Sequence, residues 1–444
     1  MTLDDCPEVR ENRRYSTGAT SSRRPMMPRA ESQYREQSLS PALLRLPSDQ
    51  DSTGRSLGRE ELLRLQAVIE SGTLTATKGV QTPEFEARVA ALIGRSGAIA
   101  CSSGTAAVHT AIAAIDPEPG DEIVTTAVTD MGALSPILYQ GAIPVFADVD
   151  PVTGMVTSEG VAAVMSDRTR AVVVTHLFGL PAAVDAIASV AAAAGVPLIE
   201  DCAQAFLTRR TGTLVGTFGL AACYSTQQGK HLTTGEGGVV ATDDDAFARR
   251  ARAFVNKAWP YGEANPDHEF LALNYRTTEL QSAVANAQLD KLADGVAARQ
   301  ATVARFGLAL ASVPGLTLPS VDSGDVATWW KVPVLVDPGQ IPGGPRALAA
   351  ELADRGVASA PRYIQKPAFE CAVFRDQKTF GSSRWPFTLA RPEAIDYTVD
   401  RFPGTYRYLE RVLVLPWNER YEDRHADAVA EALAGAVARL RGAP

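Results

Sequence analysis

Residues 170–205, RAVVVTHLFGLPAAVDAIASVAAAAGVPLIEDCAQA, decide the fold of this chain. The apolar run after Arg170 predicts a buried strand, the alanine-rich stretch predicts a helix, and the segment ending at Asp201 predicts a second buried strand. Continuous apolar strands joined by a helix indicate a mostly parallel sheet that is covered on both faces. Ligands of such sheets bind at the carboxyl ends of the strands, so the residues there are candidate site residues.

The same alternation of strand and helix patterns extends on both sides of this segment. It follows the amphipathic pattern GREELLRLQAVIESG at 58–72 and precedes a long helical pattern at 273–310. We therefore predict an α/β fold with a large domain at 56–310, ending in that connecting helix, and a smaller α+β domain at 311–444. Residues 1–55 are rich in Arg, Ser, Pro, Glu and Asp without a sustained apolar period, which predicts a mostly disordered leader.

The composition narrows the function classes. The chain has 444 residues, of which 45% are hydrophobic and 21% charged, as in an ordinary soluble protein of two domains. Its net charge of −8, without a long basic block, argues against nucleic acid as a partner. No stretch reaches the roughly 18–20 apolar residues of a membrane helix, and the N-terminus lacks the apolar core of a secretory signal. The five cysteines have neither CxxC pairs nor metal-type spacing, so we expect free thiols in a reducing cytoplasm and no metal site.

One lysine stands in an unusual setting. The stretch YSTQQGKHLTTGEGG at 224–238 surrounds Lys230 with serine, threonine and glutamine, and it ends in glycines before an apolar run. A solvated surface lysine is the ordinary alternative. Small hydrogen-bonding groups and glycines that permit close backbone approach nevertheless favour a bound phosphate or cofactor. A lysine amine of lowered pKa forms Schiff bases in such a setting.

Three more features lie where strands should end or helices begin. SSGTAA at 102–107 predicts either an anion site at a helix N-terminus or an ordinary cap made by Ser103. Asp201 directly follows an apolar run and could hold a protonated ring nitrogen, with a helix cap or a salt bridge as the alternatives. LNYRTTE places Asn274 just before the long helix, where an exposed polar cap is the alternative.

Taken together, these features resemble a known family across roughly residues 58–440. The matching motifs are SSGTAAVHTAI, GDEIVTT, GAIPVFADVDP, TRAVVVTHLFG, PLIEDCAQA, GKHLTTGEGG and NYRTTELQSA. They are similar, in the same order, to those of the DegT/DnrJ/EryC1/StrS aminotransferases of keto-sugars and keto-cyclitols. The resemblance implies the type I fold of pyridoxal-phosphate transferases, with a seven-stranded type of sheet, and QQGK before the lysine is closer to the aminocyclitol branch.

The resemblance also implies a role for each matching residue. Lys230 would bind pyridoxal 5′-phosphate covalently and shuttle the proton, and Asp201 would keep the ring nitrogen protonated. The other implied cofactor contacts are phosphate binding by Gly104, Thr105 and Ser225, a place near the ring oxygen for Gln204, and packing on one ring face by Ala203. Asn274 would reach the cofactor of a neighbouring subunit, which implies a homodimer with shared active sites.

Asp130 is a departure from this pattern. It stands near the position where relatives carry an aromatic residue that stacks on the ring, and a carboxylate cannot make that contact. Either another group covers the ring, or Asp130 lies over it and contacts an unusual acceptor, or Asp130 merely caps the helix near Ala133. The candidate substrate-binding residues are His176, Lys257, Trp259, Tyr363 and Lys366. For the histidine a structural hydrogen bond is the alternative, and for Tyr363 and Lys366 a solvated loop.

The expected function is amino transfer from an amino acid, L-glutamate or L-glutamine, to a ketone on a cyclic polyol or sugar-like acceptor. Such a reaction belongs to amino-sugar or natural-product biosynthesis, including that of antibiotics. The first alternative is a dehydratase or an aromatising lyase of the amino-shikimate type. Lys230 argues against the dehydratase, whose relatives carry histidine at that position. The second alternative is a catalytically weak regulatory paralogue.

Overall fold

A seven-stranded sheet lies at the centre of the computed structural model, which describes residues 45–442. The strands are β1 Gly97–Cys101, β2 Glu122–Thr126, β3 Ile143–Ala147, β4 Thr169–Thr175, β5 Leu198–Asp201, β6 Arg209–Arg210, β7 Thr213–Leu214, β8 Ala221–Ser225, β9 Gly238–Thr242, β10 Leu316–Thr317, β11 Lys331–Val336, β12 Ala360–Pro361 and β13 Val412–Pro416. The helices are α1 Arg59–Ser71, α2 Gln81–Ile93, α3 Gly104–Ala114, α4 Ser135–Tyr139, α5 Ser158–Val164, α6 Val184–Ala193, α7 Asp245–Val255, α8 Glu279–Leu310, α9 Gly344–Ala353, α10 Ala372–Arg375, α11 Pro403–Arg411 and α12 Asp423–Leu440.

The central sheet has the strand order β1-β9-β8-β5-β4-β2-β3. Strand β9 is antiparallel to both of its neighbours, and the other adjacent pairs are parallel. Val172 and Val173 are adjacent in β4 and therefore point to opposite faces, yet both are 0% exposed. The sheet is thus buried on both sides, and the predicted mostly parallel α/β sheet is confirmed.

Helix α8 connects this sheet to a second one. Thr278 caps its N-terminus, accepting a hydrogen bond from the Gln281 N–H, while the Gln281 side chain accepts from the Thr278 N–H. The helix begins at Glu279 and not at residue 273, because the preceding residues form isolated bridges, such as Asn274 with Asn256. Beyond α8, the antiparallel sheet β10-β11-β13-β12 forms the predicted α+β part with α9, α11 and α12. Helix α8 ends at Leu310, and a domain boundary at 310/311 stays a prediction.

Residues 45–55 were assigned to the disordered leader, and the structure corrects this. Asp49 is 6% exposed and Arg55 is 2% exposed. The Arg55 guanidinium donates to the backbone oxygen of Lys230 at 2.9 Å, and the Gln228 side chain donates to the Asp49 oxygen at 3.0 Å. This segment is held by hydrogen bonds and charges, so it has no apolar period to reveal it. Residues 1–44 of the predicted leader lie outside the described residues.

Among residues 45–442, none of the helices combines the length and apolar character that crossing a membrane requires.

Candidate active site

The predicted site residues come from strand ends that meet at one edge of the central sheet. Strands β4, β5 and β8 are parallel neighbours, and β1 has the same direction because β9 is antiparallel to both β1 and β8. Asp201 ends β5, Ser225 ends β8, and β1 leads through Ser103 into α3. The fold therefore brings together residues that are more than a hundred positions apart.

The start of α3 forms an anion cradle. Ser103 caps the helix, accepting from the Ala106 N–H at 3.0 Å, and the first N–H groups of a helix, here those of Gly104 and Thr105, have no acceptor within it. A Cβ on Gly104 would lie 2.7 Å from the Ser225 Cβ, so only glycine lets the serine hydroxyl approach the helix end. The cap and the anion site, which the sequence presented as alternatives, are compatible here.

Asp201 is a buried carboxylate, 5% exposed, beside this cradle. Its Oδ1 accepts from the Ala203 N–H at 3.1 Å, and its Oδ2 accepts from the Thr175 hydroxyl at 3.4 Å. Burial raises the pKa of Asp201, while the Ala203 hydrogen bond and the positive charge of Lys230 oppose that shift. A carboxylate in this position is stabilised by a further cationic partner.

Lys230 is an amine of lowered pKa. Burial lowers its pKa to about 8, against the opposing charges of Asp201 and Asp130. Its Nζ lies 3.8 Å from the centroid of the Trp330 ring. Because the pKa is close to neutrality, the amine has a substantial unprotonated fraction at mildly alkaline pH, which a nucleophile and proton carrier needs.

Gln204 connects Phe178 to Tyr363, one of the predicted substrate-binding residues. Its Oε1 accepts from the Phe178 N–H at 2.7 Å, and its Nε2 donates to the Tyr363 hydroxyl at 3.3 Å. The Tyr363 ring packs edge-on against Phe178, with 4.7 Å between centroids. Tyr363 also lines a cavity of about 320 Å³ beside Lys366 and Asp130. The full lining is Thr129, Asp130, Met131, Tyr363, Ile364, Lys366, Ala368 and Cys371.

Three of the predicted substrate residues are placed elsewhere. His176 is 0% exposed; its Nε2 is 3.2 Å from Glu200 Oε2, and its Nδ1 accepts from the Ala182 N–H at 3.1 Å. Both ring nitrogens are used within the protein, which favours the structural hydrogen bond that the sequence left as the alternative. Lys257 is exposed in the loop after α7, and Trp259 lines a different cavity, together with Arg276 and Thr277, which does not include Tyr363 or Lys366.

Asn274 lies on the outside of the protomer next to the cradle. Its side chain is exposed, while the neighbouring Tyr275 accepts from the Ser102 N–H at 2.8 Å. The segment is thus attached to the residues that lead into α3. Asn274 Oδ1 accepts from the Arg276 N–H at 3.4 Å, and the exposed position does not prevent the side chain from reaching a neighbouring protomer.

Comparison with known proteins agrees with this geometry. A family model described as the DegT/DnrJ/EryC1/StrS aminotransferase family matches residues 55–434. The chain belongs to the DegT/DnrJ/EryC1/StrS aminotransferase family. Among solved structures, it is similar to the aminotransferase TlmJ from Streptoalloteichus hindustanus, with 28% identity over 87% of this chain and 98% of that one and a TM-score of 0.75.

Two further solved structures are similar to this aminotransferase. One is 3-amino-5-hydroxybenzoic acid synthase, with 26% identity, coverage of 87% of this chain and 98% of that one, and a TM-score of 0.78. The other is DesI, studied in the presence of its TDP-sugar product, with 27% identity, coverage of 87% and 92%, and a TM-score of 0.76. The fold of type I pyridoxal-phosphate aminotransferases is thereby confirmed.

Pyridoxal 5′-phosphate is the cofactor of this aminotransferase, and the site residues fit it. The cradle of Gly104, Thr105 and Ser225 suits the phosphate, because a side chain at Gly104 would fill it. Asp201 suits a protonated ring nitrogen, and Gln204 retains a second N–H for the ring oxygen. When bound, the cofactor supplies an electron sink for the carbanion formed at the substrate carbon. In its predicted role, Lys230 would supply the amine that carries the proton.

Several residues around Lys230 escaped the sequence analysis. The Trp330 indole donates to the Gly229 oxygen at 2.7 Å, and its ring lies under the Lys230 amine. Asp49, Arg55 and Lys331 also surround this loop. The only sequence signal was the pattern WWKVPVLV, which predicts a strand but does not indicate which element it faces.

Asp130 forms the helix cap that the sequence presented as one alternative, and its charge also acts on the Lys230 amine. Its Oδ1 accepts from the Gly132 N–H at 2.8 Å and caps the short 3-10 helix Met131–Ala133. A Cβ on Gly132 would lie 2.5 Å from the Thr105 hydroxyl, so this turn packs beside the phosphate cradle. The Asp130 charge also raises the pKa of Lys230, although burial has the larger, opposite effect. Asp130 is therefore both a cap and part of the electrostatic environment of the amine.

We expect Asp130→Ala and Asp130→Asn to separate these roles. Asparagine retains the cap, so only the alanine variant should lose stability, by about 1 kcal/mol. Both variants remove the charge, so both should reduce amination more than cofactor affinity and shift the alkaline pH profile to lower pH. The measurements are kcat, KM, cofactor Kd and Tm for the two variants. Unchanged kinetics in both, with a lowered Tm in the alanine variant alone, would leave Asp130 with only the cap.

Proposed function

We propose that this aminotransferase moves an amino group from L-glutamate or L-glutamine to a keto group on a cyclic polyol or sugar-like acceptor. The observation that carries the proposal is the cavity lined by Asp130, Tyr363 and Lys366, which adjoins the Lys230 site through the Gln204 to Tyr363 hydrogen bond. Its lining provides a carboxylate, a phenol, an ammonium and the hydroxyl of Thr129. Such a set recognises an acceptor with several hydroxyl groups.

The relatives support a role in amino-sugar or natural-product biosynthesis. DesI is known with its TDP-sugar product, and 3-amino-5-hydroxybenzoic acid synthase makes an aminated aromatic ring. The second of these keeps an aromatising reaction as an alternative for this chain. The four cysteines at 101, 202, 223 and 371 are free thiols, which supports a location in the reducing cytoplasm.

The test begins with the donor. The protein loaded with cofactor is mixed with single amino acids, and the absorbance of the bound cofactor is followed as the donor loses its amino group. A keto-cyclitol or a nucleotide-linked keto-sugar is then added, and the product is identified by mass spectrometry. An aminated acceptor supports the proposal, whereas an aromatic product supports the lyase. If neither the donor nor the acceptor reacts, the proposed function is wrong.

We further propose a homodimer with shared active sites. Exposed apolar side chains are concentrated on α1 and the following segment, where Leu62 is 67% and Val80 is 74% exposed, and next to Asn274, where Leu271 is 94% exposed. Isolated exposed apolar residues are ordinary, but clusters beside a functional segment favour a protein interface. A twofold dimer that covers them would bring each Asn274 to the site of the other subunit.

Mixed dimers of Lys230→Ala and Asn274→Ala subunits test this arrangement. We expect Asn274→Ala alone to weaken cofactor binding by about ten-fold or more, as loss of a hydrogen bond to a charged group does. If Asn274 crosses to the partner, a mixed dimer contains one site with both residues intact, so it regains full cofactor affinity and activity at that site. If Asn274 serves its own subunit, no intact site forms. Sedimentation analysis must show dimers in every sample.

A further inference from the structure

Two lysine ammonium groups lie over the same indole ring. The Nζ atom of Lys230 is 3.8 Å from the Trp330 centroid and the Nζ atom of Lys331 is 4.7 Å from it. The two Nζ atoms are therefore separated by at most the sum of these distances. Lys331 begins β11, so it comes from the small antiparallel sheet, whereas Lys230 follows β8 of the central sheet.

The indole is a fixed support for both amines. Its Nε1 donates to the Gly229 oxygen at 2.7 Å, next to Lys230 in the chain. Its ring is nearly parallel to Phe178, with an interplanar angle of 14°, and the Phe178 N–H donates to Gln204. The position of Lys331 relative to the cofactor residues is thus determined by packing and hydrogen bonds on both sides of the ring.

Lys331 has unused hydrogen-bond donors. Its side chain is 22% exposed, and its counter-ion Asp49 Oδ2 lies 3.8 Å away, beyond hydrogen-bond distance. Within residues 45–442, Asp49 Oδ2 is buried without a hydrogen-bond partner, and its ion pair with the Lys331 ammonium is long. A partly buried ammonium carries three N–H donors and is costly to leave without acceptors. An oxyanion that enters the site would satisfy it.

The two neighbouring arginines, Arg299 and Arg55, have buried side chains that are each 1% exposed. Arg299 donates to the backbone oxygens of Trp330 and Trp417 and pairs with Glu419 at 2.9 Å. Arg55 donates to the Lys230 backbone oxygen and lies 3.6 Å from the same glutamate. Within the described residues, Arg55 Nε and Nη1 have no hydrogen-bond partner, but its side chain is only 1% exposed, whereas that of Lys331 is 22% exposed. Lys331 is therefore the cation of this group that a ligand from solvent can reach.

We propose that Lys331 binds the carboxylate of the amino donor, with Asp49 holding the ammonium beside the indole until the donor arrives. The inference rests on the proposed function, because it requires an amino acid whose nitrogen takes the place of the Lys230 amine. In an amino acid, a carboxylate oxygen lies about 3 Å from the nitrogen, and a hydrogen bond adds about 3 Å more. The resulting separation falls inside the limit set by the shared indole.

The surrounding charges favour a carboxylate over a phosphate. Asp49 and Asp130 both act on the Lys230 amine, so the region already contains two carboxylates besides Asp201. A phosphate group with up to two charges would be repelled by them more strongly than a carboxylate with one. The Lys331 charge lowers the pKa of Lys230, after burial as the main cause, so the two ammonium groups are electrostatically coupled. A carboxylate bound to Lys331 would screen this repulsion.

The experiment compares Lys331→Met, Lys331→Arg and the wild type, each with cofactor bound. Lys378→Met is the matched control, because Lys378 is 71% exposed and pairs with Asp376 on the surface. The donor half-reaction is followed against the concentration of L-glutamate and of L-glutamine. Loss of a hydrogen bond to a charged group should raise the half-saturating concentration about ten- to a hundred-fold in the methionine variant. The limiting rate should change much less, and arginine should recover most of the affinity.

A second measurement does not depend on turnover. Glutarate, a dicarboxylate without an amino group, should bind the wild type and the Lys378→Met control but bind Lys331→Met at least ten-fold more weakly. Burial lowers the pKa of Lys331, so its ammonium loses its proton at a lower pH than that of an exposed lysine. Glutarate affinity should therefore decrease as the pH rises through this lowered pKa. The arginine variant, which stays charged, should show no such fall. The pH dependence of glutarate binding in wild type and Lys331→Arg can be compared even if Lys331→Met does not fold.

The outcomes separate this inference from the proposed function. If wild-type protein reacts with no donor, the proposed function fails, whereas selective loss of glutarate binding still supports Lys331 as a carboxylate site. If donors react equally well with wild type and Lys331→Met and glutarate binds both, the inference is wrong. A loss confined to a nucleotide-linked acceptor would also overturn it, because it would assign Lys331 to a phosphate.

Discussion

Replacement of Lys230 by alanine is expected to abolish amino transfer while the protein remains folded and still binds the phosphate of its cofactor. In its proposed role, the amine carries the proton, and general acid–base catalysis alone contributes about 10²–10⁴-fold in rate. Loss of covalent attachment adds to this, so we expect kcat to fall by at least about a thousand-fold. The phosphate cradle of Gly104 and Ser225 is made by other elements, so cofactor affinity should fall far less than kcat.

Borohydride reduction followed by peptide mapping identifies the attached lysine directly. The adduct is expected on Lys230, and the informative alternative is Lys331, whose amine contacts the same indole. An adduct on Lys331 or on Lys257 would contradict the assignment. Covalent uptake by the apoprotein should also follow the neutral amine. Because burial lowers the pKa of Lys230 to about 8, uptake should be slow below that pH and increase as the pH rises through it.

The central sheet could be predicted from the sequence because its strands are buried on both faces. Such strands consist of unbroken apolar runs, as at 171–174, and these are visible without knowledge of the contacts. The candidate cofactor residues could also be predicted from the sequence, since Asp201 and Ser225 stand at the ends of two of these strands and Gly104 begins the helix after a third. A parallel sheet brings such ends together by topology alone.

The residues that surround Lys230 on the other side could not be predicted in the same way. Asp49 and Arg55 belong to a polar segment that packs through single hydrogen bonds, and polar segments have no periodic signal. Lys331 and Trp330 are separated from Lys230 by about a hundred positions. Their contact depends on how the second sheet packs against the loop, which no local pattern specifies. The same limitation made His176 resemble a site residue, since its partner Glu200 lies on the neighbouring strand.

Asp201→Asn is expected to have the second largest effect on activity. The amide has the size of the carboxylate but cannot pair with a protonated ring nitrogen, so the electron sink weakens. Loss of one partner of a buried charged pair costs about 3–5 kcal/mol, which corresponds to roughly a hundred- to several-thousand-fold in kcat. Asp201→Glu keeps the charge and serves as the control, because any decrease in its kcat reports only the displaced position of the carboxylate. A kcat within ten-fold of wild type in the asparagine variant would contradict the assigned role.

The stability of the apoprotein should change in the opposite direction. Burial raises the pKa of Asp201, so the folded chain binds a proton more strongly than the unfolded chain does. The free energy of unfolding therefore decreases as pH rises from the unfolded pKa of an aspartate through the folded value. At neutral pH the ionised carboxylate, without its partner, destabilises the apoprotein. Asparagine carries no charge and so removes this destabilisation. The apoprotein of Asp201→Asn should therefore have the same Tm as wild type, or a higher one, at pH 7. Its Tm should also vary less between acidic and neutral pH. A variant that is inactive and also less stable as apoprotein would show that Asp201 supports the fold, whereas an inactive variant of undiminished stability would show that the carboxylate is kept for the cofactor.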